Sequence, residues 1–310
     1  MYQSPTVPRS IGGVLDDSIQ LFRASFSKAV VPALLMSAVV VAQLLIQLSS
    51  GSLGAPSNGT LGIMGVATAA SAAAGSALVS LLGSLFDIVL YGTIVLITIG
   101  VARGEAPTFR TAFAGAWRRF GALLGASILV GLVGGFGFIL AAIPIFLNLS
   151  GLTTGASFPQ IVARLTPQII ESLLLCLPVI YVLSRMMLYT VPILGESQSA
   201  SQSIGTSWRL VGGNWWRTST VVFVLGIVVY VLMIVVIAVA GAGAAFVVSG
   251  RAGSQHAAVA AALSVGIALG ATRVISSPLV AAMFVAVYRD LQLRKGGGDL
   301  EARLGALRKS

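Results

Sequence analysis

Polar residues interrupt this chain rarely, and where they do they come in clusters. Residues 29–48 pass without a single charge before the run dissolves into the Ser, Gly, Pro and Asn of residues 49–60. A helix needs about 20 predominantly apolar residues to cross a hydrocarbon core of about 30 Å. Six segments meet that requirement: 29–48, 77–102, 121–147, 169–194, 218–248 and 257–288. Asp87 is the only charge between residues 61 and 102, a stretch long enough for one helix with a Gly/Ala/Ser lead-in or for two short ones. Several segments exceed the minimum, an excess that tilt or breaks near Gly241 and Gly243 would absorb. Pro144, Pro178, Pro192 and Pro278 fall in or near spans, where they can kink a helix.

Three shorter segments ahead of the apolar pairs carry a different pattern. Phe22-Arg23, Trp117-Arg118 and Trp208-Arg209 are aromatic–Arg pairs, with Arg residues 95 and 91 positions apart. Gly104-Glu105 and Gly195-Glu196 are likewise 91 apart, and Arg289-Asp290 closes the third unit. This spacing predicts a threefold repeat of an amphipathic segment followed by two spans, with units at about 9–105, 106–196 and 197–291. In the first such segment Ile11, Val14, Leu15, Ile19 and Phe22 recur at helical spacing, with Asp16, Asp17, Gln20 and Arg23 elsewhere on the wheel. A helix of this kind lies in the headgroup plane with aromatic residues at the interface and Arg or Lys facing phosphate. Phe22, Trp117, Trp208, Trp215 and Trp216 are the expected interfacial aromatics, and Arg23, Arg118, Arg209 and Arg217 the expected phosphate contacts.

Composition supports the same class. Of 310 residues 56% are hydrophobic and only 9% charged, where soluble domains carry about 25% charged residues. The fold class expected is therefore all-α, a polytopic membrane bundle of six transmembrane helices in three parallel two-helix repeats, each preceded by an interfacial amphipathic helix. The formal net charge of +10 points to anionic lipid headgroups rather than nucleic acid. Its distribution sets topology. Arg9, Arg23, Lys28, Arg103, Arg110, Arg118, Arg119, Arg209, Arg217, Arg289, Arg294, Lys295, Arg303, Arg308 and Lys309 fall on one side of a six-span arrangement, with Arg164 and Arg251 on the other. Both termini are expected in the cytoplasm. Splitting residues 61–102 into two spans would move four Arg outside, which argues for one.

The first 28 residues mix Asp16, Asp17 and three basic residues, unlike a signal-peptide n-region, so the first span is expected to be retained. Cys176 is the sole cysteine, so no internal disulfide forms. Residues 292–310 read as a cytoplasmic tail in which Gly296–Gly298 break the last helix and Leu300, Leu304 and Leu307 mark a short amphipathic one.

The stretch from Arg9 through Ile11-Gly12-Gly13 to Asp16-Asp17, then Leu21-Phe22-Arg23 and Phe26, resembles the glycerophosphoryl diester phosphodiesterase membrane domain family. So do Gly195-Glu196, Ser203 to Arg209, and Gly213-Asn214-Trp215-Trp216-Arg217. The resemblance covers about Arg9 to Leu291 and implies a bacterial inner-membrane, multi-pass domain that often stands alone. It does not imply the phosphodiesterase activity of fused relatives, because that reaction needs a soluble barrel with paired His and metal-binding carboxylates. This chain has one His, His256.

Charges within spans are costly unless partnered, which makes Asp87, Arg185 and Arg273 the first place to look for function. Asp87 lies 16 residues before Arg103, and Arg273 lies 16 before Arg289. Both then sit at about 24 Å from the same helix ends, at 1.5 Å per residue, and can meet as an ion pair. Arg185, ten residues before Glu196, is expected near mid-depth, where it pairs with Asp87, binds a lipid phosphate or snorkels. Gly121/Gly125, Gly131/Gly135 and Gly266/Gly270 have the small-residue spacing of close helix packing. The reading that results is a non-catalytic membrane module binding or organising lipid, or a partner membrane protein, with no cofactor and no metal. A transporter or channel using Asp87, Arg185 and Arg273 is the alternative, and a lipid-modifying enzyme the third.

Overall fold

The computed structural model describes residues 2, 5–49, 63–149, 158–249 and 255–296. Among these there is no strand, and nine helices follow one another. They are α1 (Ile11–Ser49), α2 (Ile63–Ala102), α3 (Phe109–Arg118), α4 (Phe120–Leu149), α5 (Phe158–Met186), α6 (Thr190–Gly195), α7 (Ala200–Val211), α8 (Trp215–Ser249) and α9 (Gln255–Lys295). A 3₁₀ turn, Met187–Tyr189, joins α5 to α6. Six helical stretches are long and apolar enough to cross a membrane: Ile11–Ile46, Ala77–Ala102, Phe120–Leu147, Leu165–Gly195, Trp215–Gly243 and Gly266–Lys295. The protein is a multi-pass membrane protein.

Residues 63–102 form one continuous helix, not two. α4, α5 and α9 continue through Pro144, Pro178 and Pro278, and α8 continues through Gly241 and Gly243 without a break, which leaves tilt to absorb the excess length. Pro192 acts differently. It cannot donate to the Leu188 carbonyl, and its ring crowds the preceding turn, which is where the helix tightens into the 3₁₀ turn.

The chain divides into two compact units, one of Met1–Phe120 with Thr220–Ser310, the other of Gly121–Ser219. In the first, α1, α2 and α9 pack on one another, and α3 packs on α2. Leu21, Ala29, Ala33, Val89, Leu90, Ile94, Ala281, Ala282 and Val285 are buried there. The best apolar windows of α2 and α9 are 61% buried, against 11% for α4 and α8, so two helices line an interior while the others present apolar side chains outward. In the second unit α7 packs against α5, the 3₁₀ turn and α6.

The start of the first unit differs from expectation in one way. No separate helix precedes the first span, because α1 runs unbroken from Ile11 through it. The buried stripe is Val14, Asp17, Ser18, Leu21 and Ser25, whereas Ile19 is exposed. Ser18 and Ser25 donate their hydroxyls to the carbonyls of Val14 and Leu21 one turn back, at 2.7 and 2.8 Å. Such self-satisfied small residues cost little to bury and let helices approach closely.

Elsewhere separate helices do form ahead of α4 and α8. Thr108 caps α3 through Thr111, and the Ser199 N–H donates to Gln202 Oε1 at the start of α7. Gly104 (φ 79°) and Gly213 (φ 84°) turn the chain out of α2 and α7 in the left-handed region that glycine enters without strain.

Of the glycine pairs, Gly266/Gly270 is a packing surface. A Cβ on Gly270 would touch Ser37 Cβ at 3.4 Å and the Ser37 carbonyl at 3.5 Å, and Ser37 Oγ donates to the Gly270 carbonyl at 2.6 Å. Gly131 and Gly135 face open space. Gly270→Ala is therefore expected to be tolerated, while Gly270→Leu should separate α1 from α9 and lower the unfolding midpoint in SDS titration, by about 1–3 kcal/mol as in overpacked cores. The tail helix expected around Leu300, Leu304 and Leu307 lies outside the described residues.

Candidate functional site

Asp87 on α2 and Arg273 on α9 meet. Arg273 Nη1 donates to Asp87 Oδ2 at 2.5 Å, with side chains 23% (Asp87) and 42% (Arg273) exposed. The two helices are neighbours, and their equal 16-residue offsets from Arg103 and Arg289 bring the two charges level. Asp87 Oδ1 is shut in and has no hydrogen-bond partner, which leaves one carboxylate oxygen uncompensated. At the other end of the same helix pair, Arg289 Nη1 donates to the Ala102 carbonyl at 2.9 Å.

Arg185 is in the other unit and has a different environment. Its Nη1 donates to the Tyr181 hydroxyl at 3.0 Å and its Nη2 to the Trp208 carbonyl at 3.3 Å. The guanidinium carbon lies 4.2 Å from the Trp208 ring centroid and 5.4 Å from that of Tyr181, a double cation–π arrangement. Asp87 is partnered by Arg273 instead. α5 ends at Met186, one residue beyond Arg185. The side chain therefore sits level with the backbone of α7. Ser207 Oγ locks this corner, donating to the Arg185 carbonyl at 2.7 Å and accepting from the Leu188 N–H at 3.2 Å.

The aromatic residues named from sequence occupy helix ends. Phe109, Phe113, Trp117 and Phe120 follow one another at centroid spacings of 5.7, 6.3 and 5.7 Å, the first pair tilted and the two pairs with Trp117 stacked. Trp117 is 56% exposed, next to exposed Arg118, while Ala112 and Ala116 bury the opposite face of α3. Trp216 is 77% exposed and Trp208 lies at the edge of exposure. Trp215 packs on Tyr181 and Trp216 at 5.2 and 4.5 Å, and its Nε1 donates to Ser184 Oγ at 2.6 Å. Phe22 packs on Phe26 at 5.1 Å, beside exposed Arg23. Arg209 is exposed and Arg217 half-buried. Phe22, Arg23, Trp117 and Arg118 belong to the first unit, and Trp208, Arg209, Trp215, Trp216 and Arg217 to the second.

One polar cluster was missed. Asp290, buried near the end of α9, accepts from the Arg9 backbone N–H at 2.8 Å and from Arg294 Nε at 3.0 Å, and Arg294 Nη2 donates back to the Arg9 carbonyl at 2.6 Å. Tyr2 donates its hydroxyl to Asp17 at 2.9 Å. Burial, reinforced by that carboxylate, pushes the Tyr2 phenol up from its ordinary value. The signal available in the sequence was a lone Asp among Arg289, Arg294 and Lys295, four residues ahead of an Arg, the spacing of a helical ion pair. The 281-residue separation of Arg9 from Asp290 hid the rest.

A scan against protein-family models and searches of curated proteins and solved structures found no match to this chain.

Proposed function

We propose that this protein is a non-catalytic membrane module of the bacterial inner membrane that binds anionic lipid headgroups, and through them organises lipid or a partner membrane protein. One observation carries the reading: Trp117 and Trp216 are exposed beside Arg118 and Arg217 where the long, outward-facing apolar helices α4 and α8 begin. Tryptophan prefers the boundary between hydrocarbon and water, and a neighbouring guanidinium meets phosphate there in a forked contact. In this reading α3 and α7 are amphipathic helices in the headgroup layer, the three aromatic–Arg segments are repeats sharing one orientation, and both termini are cytoplasmic. The resemblance to the glycerophosphoryl diester phosphodiesterase membrane domain family agrees with such a module.

All four tryptophans, Trp117, Trp208, Trp215 and Trp216, lie in these clusters, so their fluorescence reports on lipid contact directly. In liposomes, brominated phosphatidylglycerol should quench them more strongly than brominated phosphatidylcholine at equal mole fraction. Combining Arg118→Gln with Arg209→Gln should remove most of that preference. Equal quenching by both lipids in the wild-type protein would overturn the proposal.

A second reading has an observation of its own. The uncompensated Asp87 Oδ1 beside a part-exposed Arg273 is what a proton or small-solute path through the first unit would use.

A further inference from the structure

Carboxylates pair with two of the arginines in the long apolar helices, Asp87 with Arg273 and Asp290 with Arg294. Among the described residues no carboxylate pairs with Arg185: its bonds run to a phenol and a backbone carbonyl, and its plane lies against aromatic rings. Neutral partners orient a cation without cancelling its charge, and a cation at the edge of a low-dielectric phase is costly until an anion joins it. We propose that Arg185, clamped between Tyr181 and Trp208, is a discrete binding site for the phosphate of one anionic phospholipid. The inference rests on the lipid-binding reading above and adds to it a saturable site.

The donors can be counted. A guanidinium has five N–H groups. Tyr181 and Trp208 take two, and Nε is shut in without a partner. One hydrogen on each Nη remains, and Arg185 is only half-buried. Two donors on a planar, always charged group suit phosphate.

The surroundings hold that group still. Trp215 packs on Tyr181 and is fixed by Ser184, and Ser207 ties the Arg185 carbonyl to α7. Gly212 completes the clamp, since a Cβ there would lie 2.6 Å from Arg185 Nη2. Below the clamp, Leu174 lies three turns before Arg185 on the same face of α5 with Leu177 flanking it, and the two are 61% and 60% exposed. An acyl chain hanging from a phosphate at Arg185 would run along them. This apolar continuation selects a lipid over a soluble phosphate.

The test uses the full chain in detergent, with native mass spectrometry during titration with phosphatidylglycerol, phosphatidylcholine, glycerol 3-phosphate or inorganic phosphate. The wild-type protein should retain one phosphatidylglycerol per chain at collision energies that strip phosphatidylcholine. Arg185→Gln should weaken that binding at least tenfold, Arg185→Lys should restore it only in part, and Gly212→Val, which displaces the guanidinium, should behave like Arg185→Gln. Arg110→Gln, an exposed cation elsewhere, should change nothing. Tyr181→Phe removes one clamping bond while keeping the ring, and should weaken binding even if the glutamine variant does not fold. Unchanged phosphatidylglycerol occupancy in folded Arg185→Gln overturns the site. Equal binding of glycerol 3-phosphate or inorganic phosphate overturns the lipid assignment. Loss of the site with the general quenching preference intact is the expected pattern; a wild-type protein without that preference fails the broader reading instead.

Discussion

Asp87→Leu, with Arg273 left in place, is expected to destabilise the first unit by about 3–5 kcal/mol, the range for breaking a buried ion pair by removing one partner. The stranded guanidinium is the reason. Arg273 donates to Asp87 from a helix that is apolar enough to cross a membrane, and hydrocarbon offers it no replacement acceptor. The double variant Asp87→Leu with Arg273→Met should regain most of the loss, because apolar residues of similar volume often replace a buried pair without cost.

The size of the effect is informative, because Arg273 is 42% exposed. If that exposure is to lipid tails the full penalty applies. If water reaches the pair, screening reduces its worth to about 0–1 kcal/mol. SDS-titration unfolding of the three variants measures this. Proteoliposome flux then separates the functional readings: a solute or proton current abolished by Asp87→Asn in a protein that still folds selects the path reading, and ion-tight vesicles leave the pair as structure.

Asp290→Ala is the second large effect expected. The carboxylate is buried and takes both the Arg9 N–H and the Arg294 guanidinium. Hydrogen bonds to charged groups contribute about 1.5–3 kcal/mol each, so losing both, with partial rehydration of Arg294, should cost about 2–4 kcal/mol locally. Hydrogen exchange checks it, since the Arg9 amide should exchange about 30- to 1000-fold faster, tenfold for every 1.4 kcal/mol. Asp290→Asn should fall between, as its amide oxygen still accepts from Arg9 but no longer pairs as an anion. Wild-type exchange rates at Arg9 in Asp290→Ala would show that the N-terminal segment is held by other contacts.

The pairing of Asp87 with Arg273 was approachable by counting because α2 and α9 are uninterrupted between the charges and their basic ends. Rise per residue then converts directly into depth. Counting could not reveal the partners of Arg185, because Pro192 and the 3₁₀ turn end α5 just beyond it. In the first amphipathic segment the apolar pattern did not reveal that Asp17, Ser18 and Ser25 are buried. A hydrophobicity wheel ranks side chains by oiliness, but a close helix interface also selects small residues that satisfy their own hydroxyls. The aromatic–Arg pairs were visible as motifs. That Trp208 would lend both its ring and its carbonyl to Arg185 was not.

What the sequence determined by itself is the class of the protein: six apolar stretches, in a chain with too little charge to face water, set the number of spans and the membrane as solvent. Those properties follow from residue type and run length, which are one-dimensional. The tertiary structure decided which charges are neutralised by which. Asp87 and Asp290 reach across the helix packing to groups 186 and 281 residues away in sequence, and Arg185 is left among neutral partners. An ion pair depends on a few ångströms of separation between segments, and that distance exists only once the helices have packed.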